Sequence, residues 1–161
     1  MRIEFNVPAI PKAQPRQRHR VVMSGGRAFA SNYTPTRDPV NAFKASVQHA
    51  AASAHHGAPL EGPLRMSVVF VFPRPKGMVW KTKPMPRAWH TPKPDRDNLM
   101  KSLQDALNGL LFKDDSQICS GPIEKFIAAG DEQPHVEVIV ETLDTLTELG
   151  RSLATKKETR G

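Results

Sequence analysis

The chain of 161 residues holds a single cysteine, Cys119, which excludes an internal disulfide and a zinc site built on cysteines alone. A lone thiol of this kind is expected as a small core residue. No apolar run approaches the ~20 residues that a membrane-spanning helix needs, and the polar opening MRIEFNVP is unlike a signal peptide; the expectation is an intracellular protein. Acids are scarce at the front: up to residue 94 only Glu4, Asp38 and Glu61 stand against 15 Lys and Arg, whereas 13 acids stand against eight cations in the remainder. A stretch so one-signed suits a polyanionic partner such as nucleic acid or an anionic membrane, with plain solubility as the bland alternative. The six histidines show no metal-ligand spacing of the H-E-x-x-H kind.

What is present reads as one domain, because domains commonly hold ~100–200 residues. Ile3, Phe5 and Val7 alternate with polar residues as a half-buried strand does. VVMSGGRAFA carries Gly25-Gly26 between two apolar stretches and predicts a hairpin. Asp38-Pro39 suits a helix start, followed at helical spacing by Val40, Phe43, Val47, Ala51 and Ala54, with Gly57 as the expected stop. LRMSVVFVF, from Leu64, predicts a central strand buried on both faces. Residues 73 to 94 then form a long loop with six cations, no acid and both tryptophans, Trp80 and Trp89. A second helix follows, with Leu99, Met100, Leu103, Ala106, Leu107 and Leu110 as its apolar face and Gly109 at its end. A turn at Asp114-Asp115-Ser116 leads into a strand, and HVEVIVETL places Val136, Val138 and Val140 on one face of a last strand. The expected architecture is a single α+β domain over residues 1–143, a mixed sheet packed by two main helices, with a polar tail over 144–161.

The chemistry concentrates in KPDRDNLMKSLQDAL, Lys93 to Leu107. Asp95 and Asp97 at a helix start have an ordinary reading, capping free N–H groups and meeting the positive end of the dipole, each worth ~0.3–1 kcal/mol. If the strand that begins near Asp115 lies beside that helix start, three carboxylates converge, and such a cluster requires a hard cation, Mg²⁺ or Mn²⁺. Phosphoryl-transfer enzymes use clusters of this kind to activate water and neutralise charge. Lys101, four residues after Asp97, is either a phosphate contact or the partner in a plain i, i+4 pair. Asp114 is a substitute ligand if the turn is oriented differently; Asp105 and Asn108 continue the polar side of the helix.

Three blocks, Lys93-Pro-Asp-Arg-Asp-Asn-Leu-Met-Lys101, Asp105-Ala-Leu-Asn-Gly109 and Lys113-Asp-Asp-Ser-Gln117, occur in this order and resemble the RusA family of Holliday junction resolvases. Pro11 to Arg16, Tyr33-Thr-Pro and Trp89 to Lys93 are similar to phage-type members, and the similarity touches most of residues 3 to 142. The resemblance implies a homodimeric, Mg²⁺- or Mn²⁺-dependent endonuclease of a bacterial or phage-infected cytoplasm that nicks opposing strands of a four-way DNA junction. It places the catalytic and metal-binding acids on Asp95, Asp97 and Asp115 and the functional lysine on Lys101. Arg96 stands where the family commonly has an apolar residue, and the long basic loop is absent from compact members. Lys12, Arg16, Arg18, Lys81, Lys83, Lys93 and Arg96 are the candidate DNA contacts, reading backbone and shape more than sequence.

Two other functions compete. A basic junction-binding protein whose acids are only caps would bind without metal and never nick. An enzyme using D-x-D to hold a metal and a nucleotide sugar is disfavoured by the absence of a Gly-rich nucleotide loop. Trp80 and Trp89 have packing against the sheet as their simpler role and stacking on unpaired bases as the alternative; His90 is a candidate substrate contact.

Overall fold

A computed structural model describes residues 1–15, 18–33 and 35–145. Its strands are β1 (Arg2–Val7), β2 (Arg18–Ser24), β3 (Arg27–Tyr33), β4 (Leu64–Phe72), β5 (Ala88–Trp89), β6 (Ile118–Ser120), β7 (Ile123–Ile127) and β8 (His135–Thr142); its helices are α1 (Pro39–Ala54) and α2 (Arg96–Leu107). The main sheet runs β1-β8-β4-β7-β5, with β6 also paired to β4. β4 is antiparallel to β8 but parallel to β6 and β7, so the sheet is mixed. The fold is the expected single α+β domain with two helices, and β4 is central, as expected.

Sequence accounts for most elements directly. β1 buries Ile3, Phe5 and Val7, and β8 buries Val136, Val138 and Val140. These join Leu64, Met66, Val68 and Phe70 of β4 and the apolar faces of both helices in one core. The helices therefore cover one face of the sheet. β4 is buried in alternation over its first half and continuously only at Phe70–Phe72, so burial on both faces holds for that end alone. Asp38 caps α1 by accepting from the Val40 N–H at 3.0 Å, with Pro39 in the first turn. The helix stops at Ala54, three residues before Gly57, because the His55 cap is already extended. Gly25 and Gly26, at φ 57° and 77°, make the turn of the β2–β3 hairpin, which forms its own two-stranded sheet.

Two departures matter for the site. The stretch after the Asp114-Asp115 turn forms two short strands, β6 and β7, broken at Gly121-Pro122, where the Pro122 carbonyl accepts from the Val68 N–H at 3.0 Å. Gly121 has φ 130°, and a Cβ there would lie 1.9 Å from the Met66 carbonyl oxygen. Cys119 is exposed, its thiol donating to the Gln117 carbonyl at 3.3 Å, which corrects the expectation of a core cysteine. It lies on the short β6, outside the layer that the helices cover.

Gly121→Ala is expected to lose roughly 2–5 kcal/mol, because the backbone strain and the collision with a β4 carbonyl have no side-chain escape. Urea denaturation measures it; a loss below about 1 kcal/mol would show that β4 and the β6–β7 break can separate.

Candidate active site

α2 begins at Arg96, two residues after Pro94. Asp95 holds the N-cap position with extended backbone, and its carbonyl accepts the first helical bond from Leu99 at 3.1 Å. Its carboxylate makes no capping bond. Capping therefore does not account for this side chain. Asp97 lies in the first turn, where the helix dipole favours negative charge. Both side chains are exposed, and among the described residues neither has an ion pair or a side-chain hydrogen bond.

Both acids line an open recess of about 540 Å³ together with Arg96, Gly121, Ile123 and Lys125. The recess is assembled from the helix start, the β6–β7 break and β7. Lys125 on β7 donates through Nζ to the Pro92 and Pro94 carbonyls at 2.9 and 2.7 Å, and its own carbonyl accepts from the His90 N–H at 3.1 Å. Arg96 donates to the Ile123 carbonyl at 3.0 Å. Across the helix, the N-terminal proline-rich segment is held by Ser102, fully buried, whose hydroxyl donates to the Lys12 carbonyl at 2.6 Å, and by the Gln14 N–H donating to the Asn98 carbonyl at 3.1 Å.

The expected meeting of Asp95 and Asp97 with Asp115 does not occur in this arrangement. Among the described residues no three of His, Cys, Asp and Glu are grouped so as to hold a metal ion. The reason is the direction of the return. Asp115 opens a single 3-10 turn before β6, where its charge meets those of Asp114 and Asp105, the latter near the C-terminal end of α2. It is the far end of the β6 run, at Gly121 and Ile123, that reaches the start of the helix. Partial burial, then repulsion from Asp114, pushes the Asp115 carboxyl above its usual range, whereas the Ser116 hydroxyl holds Asp114 below it. Gln117 is the staple of this turn, accepting from the Lys113 and Asp114 N–H groups and donating to the Leu60 and Gly62 carbonyls.

Lys101 is exposed and in no ion pair among the described residues, so the simple Asp97–Lys101 bridge is not formed; Asp105, one turn on, pairs with Lys44 at 3.8 Å. Lys12, Lys81, Lys83 and Lys93 are exposed, and Lys83 sits 5.9 Å over the Trp80 ring. Arg96 serves both the recess and the Ile123 carbonyl. Arg16 and the side chain of Arg18 lie outside the described residues. The donor set fits a hard cation such as Mg²⁺, which is commonly held by one or two carboxylates with water and substrate phosphate; it does not form a three-carboxylate cage.

The long loop is not slack. Arg74 donates to the Met78, Pro86 and Ala128 carbonyls at 2.7, 2.9 and 3.2 Å. Arg87 is clamped by Glu132 at 2.6 Å and Glu137 at 2.9 Å. His90 stacks on Phe72 with ring centres 3.9 Å apart, and burial followed by the Lys125 charge holds its pKa below the ordinary value. Lys125, Gly121 and Ser102 are the site residues that sequence reasoning missed. Nothing in their local sequence marks them, since each acts through a contact distant along the chain.

Two carboxylates beside cations, at an open recess on an α+β domain, suit a metal ion and a phosphate, and the nuclease class follows from the family. The chain belongs to the endodeoxyribonuclease RusA family, whose profile matches residues 7–141. It is 34% identical over 145 residues to YqaN, an uncharacterised protein of Bacillus subtilis (strain 168), covering 86% of this chain and 94% of that one. It is also 37% identical over 78 residues to the crossover junction endodeoxyribonuclease rusA of Lactococcus phage r1t, covering 47% of this chain and 52% of the phage protein. No helix among the described residues is long and apolar enough to cross a membrane.

Arg87, followed by other groups, holds Glu132 below the usual carboxylate range. A carboxyl whose folded pKa is depressed stabilises the fold above its unfolded pKa, near 4.5, and loses that contribution as pH falls through the folded value. Cleavage of loop 73–94 by a protease active in acid is therefore expected to accelerate as pH falls below about 4.5. Glu132→Gln is expected to show the faster cleavage already at pH 7; equal rates for variant and wild type at pH 7 would remove the clamp from the account.

Proposed function

We propose that this protein is a divalent-metal-dependent endonuclease that resolves four-way DNA junctions by paired, symmetric nicks. The observation that carries the reading is the pair of carboxylates, Asp95 and Asp97, without an ion pair or side-chain hydrogen bond among the described residues, at a helix start beside Arg96 and Lys125. Two acids facing a phosphate repel it; the cations beside them draw it in, and a cation between them reconciles the two. Asp95 and Asp97 would hold Mg²⁺ or Mn²⁺, which when bound neutralises phosphate charge and makes water a better nucleophile. The name of the phage relative and the family match support the choice of a junction as substrate.

Within the chain, Arg96 and Lys125 orient the phosphodiester at the lip of the recess. Lys101, without an ion-pair partner among the described residues and one turn beyond Asp97, donates a hydrogen bond to the phosphate or to the departing oxygen. Asp115 enters on its place in the Asp114-Asp115-Ser116-Gln117 block, as a third acid whose charge is raised in energy by its neighbours. Lys12, Lys81, Lys83 and Lys93, with Arg16 and Arg18, contact the junction arms. A homodimer presents two such sites, and its two-fold axis matches the near two-fold symmetry of a four-way junction. The reaction belongs in the cytoplasm of a bacterial or phage-infected cell, where branched DNA arises during recombination and repair.

A labelled synthetic junction, incubated with and without Mg²⁺ beside linear duplex, tests the proposal. Asp95→Asn, Asp97→Asn and Asp115→Asn are each expected to lower the nicking rate by more than about 100-fold, beyond the 10–100-fold typical of residues that only support a metal ligand. Junction affinity measured in Ca²⁺ should stay near the wild-type value. Wild-type nicking by one variant removes that residue from the site. Tight binding by the wild type with no metal-dependent nick would leave a junction-binding protein.

A further inference from the structure

The acid recess is continuous with a second one. Arg96, Ile123 and Lys125 line both, and the second, of about 450 Å³, is completed by Trp89, His90 and Thr91 among others. Its most unusual wall is Trp89, 67% exposed although large aromatic side chains are usually mostly buried. The indole is nonetheless held. β5 pairs Trp89 directly opposite Phe126 of β7, and the two rings stack with centres 4.6 Å apart and planes 23° from parallel. Arg87, clamped by Glu132 and Glu137, sets its guanidinium 5.5 Å from the centre of the same Phe126 ring. The neighbouring His90 is fixed on Phe72, and its N–H is tied to the Lys125 carbonyl. Trp80, the other tryptophan of the loop, is less exposed at 39%, and cations flank it: Arg74 lies 5.0 Å over its ring and Lys83 5.9 Å.

We infer that the second recess receives a nucleobase next to the scissile phosphate, with Trp89 as its stacking platform. The inference rests on the nuclease reading of the neighbouring recess and assigns the base that accompanies the phosphate there. Three observations favour a base as occupant. The aromatic face is rigid before anything binds, so stacking loses little side-chain freedom. The two recesses share their cations, as a phosphate and the base of an adjoining nucleotide require. The exposed apolar surface is also small: a tryptophan offers at most about 250 Å², well short of the roughly 800 Å² per partner of a stable protein interface. A base unpaired at a junction centre has an open face to offer, whereas a base inside a duplex does not; the platform thus contributes to selection of branched DNA and to alignment of the cut. Trp89 is a positioning residue in this scheme, touching the base and not the reacting phosphorus.

The test places 2-aminopurine in turn at each nucleotide flanking the cut in a synthetic junction. Fluorescence is read on binding in Ca²⁺ and nicking is read in Mg²⁺, for the full-length wild type, Trp89→Ala and Trp89→Phe. Wild type should change the fluorescence at one flanking position. Trp89→Ala should abolish that change and slow nicking about 10-fold or more, and Trp89→Phe should recover most of both, since base–aromatic stacking persists. Thermal unfolding should be nearly the same for Trp89→Phe and wild type. A Trp89→Ala variant with wild-type fluorescence response and nicking would overturn the inference. So would its conversion of a dimer to a monomer in sedimentation, which would assign Trp89 to a subunit contact. A fluorescence response that depends on Trp89, with no metal-dependent nick by the wild type, would keep the base platform and defeat the nuclease reading instead.

Discussion

The arrangement of the site depends on one cation that does not face solvent alone, Lys125. Its ammonium donates to the Pro92 and Pro94 carbonyls, and its carbonyl takes the His90 N–H. These bonds tie β7 to the segment that delivers Asp95. A proline-rich chain cannot join a β-ladder along its length, because each proline lacks the N–H that the ladder needs. Its carbonyls still require donors, and side chains from the folded body supply them. The start of α2 is thus set by β7, and the carboxylates stand where β7 fixes them.

The same rule recurs around the domain and changes how its charge is to be counted. Arg74 is consumed by three loop carbonyls, and Arg87 by two glutamates and the Phe126 ring. Arg96 divides itself between the Ile123 carbonyl and the recess. Ser102 does for the N-terminal segment what Lys125 does for the lead-in. Part of the positive front therefore works as internal scaffolding for segments that cannot scaffold themselves. The exposed cations available to phosphate are fewer than composition suggests. Lys12, Lys93 and Lys101 are three of them, carried on or beside the elements that build the acid recess.

How far the sequence could be read follows from the range of the interactions involved. β1, β8, α1 and α2 were legible because alternation, helical spacing, Asp38-Pro39 and Gly109 act within a few residues. The family blocks were legible for the same reason, each being a short run. The break at Gly121-Pro122 was not, because the need for glycine there comes from the Met66 carbonyl, far away in the chain. Cys119 was misplaced because the shortness of β6 is a matter of pairing with β4, not of local composition. The two tryptophans look alike in sequence; only tertiary partners separate Trp80, flanked by Arg74 and Lys83, from the more exposed Trp89 stacked on Phe126.

That missed break also determines what Asp115 can do. At about 1.5 Å per residue, the ten residues from Asp95 to Asp105 span roughly 15 Å of α2. Asp115 shares its electrostatic environment with Asp105 and Asp114, toward the far end of the helix from Asp95. The two ends of α2 are therefore different sites in the free chain. At one end, paired carboxylates meet a helix dipole and two cations; at the other, Asp115 feels the charges of Asp114 and Asp105, and Asp105 pairs with Lys44 at 3.8 Å. Asp115 forms no metal-holding group with Asp95 and Asp97 among the described residues, so a joint action of the three on one phosphate would call for movement of the Asp114–Gln117 turn. Gln117 opposes that movement through four hydrogen bonds, so the free energy to move it has to come from binding DNA, metal or a second subunit.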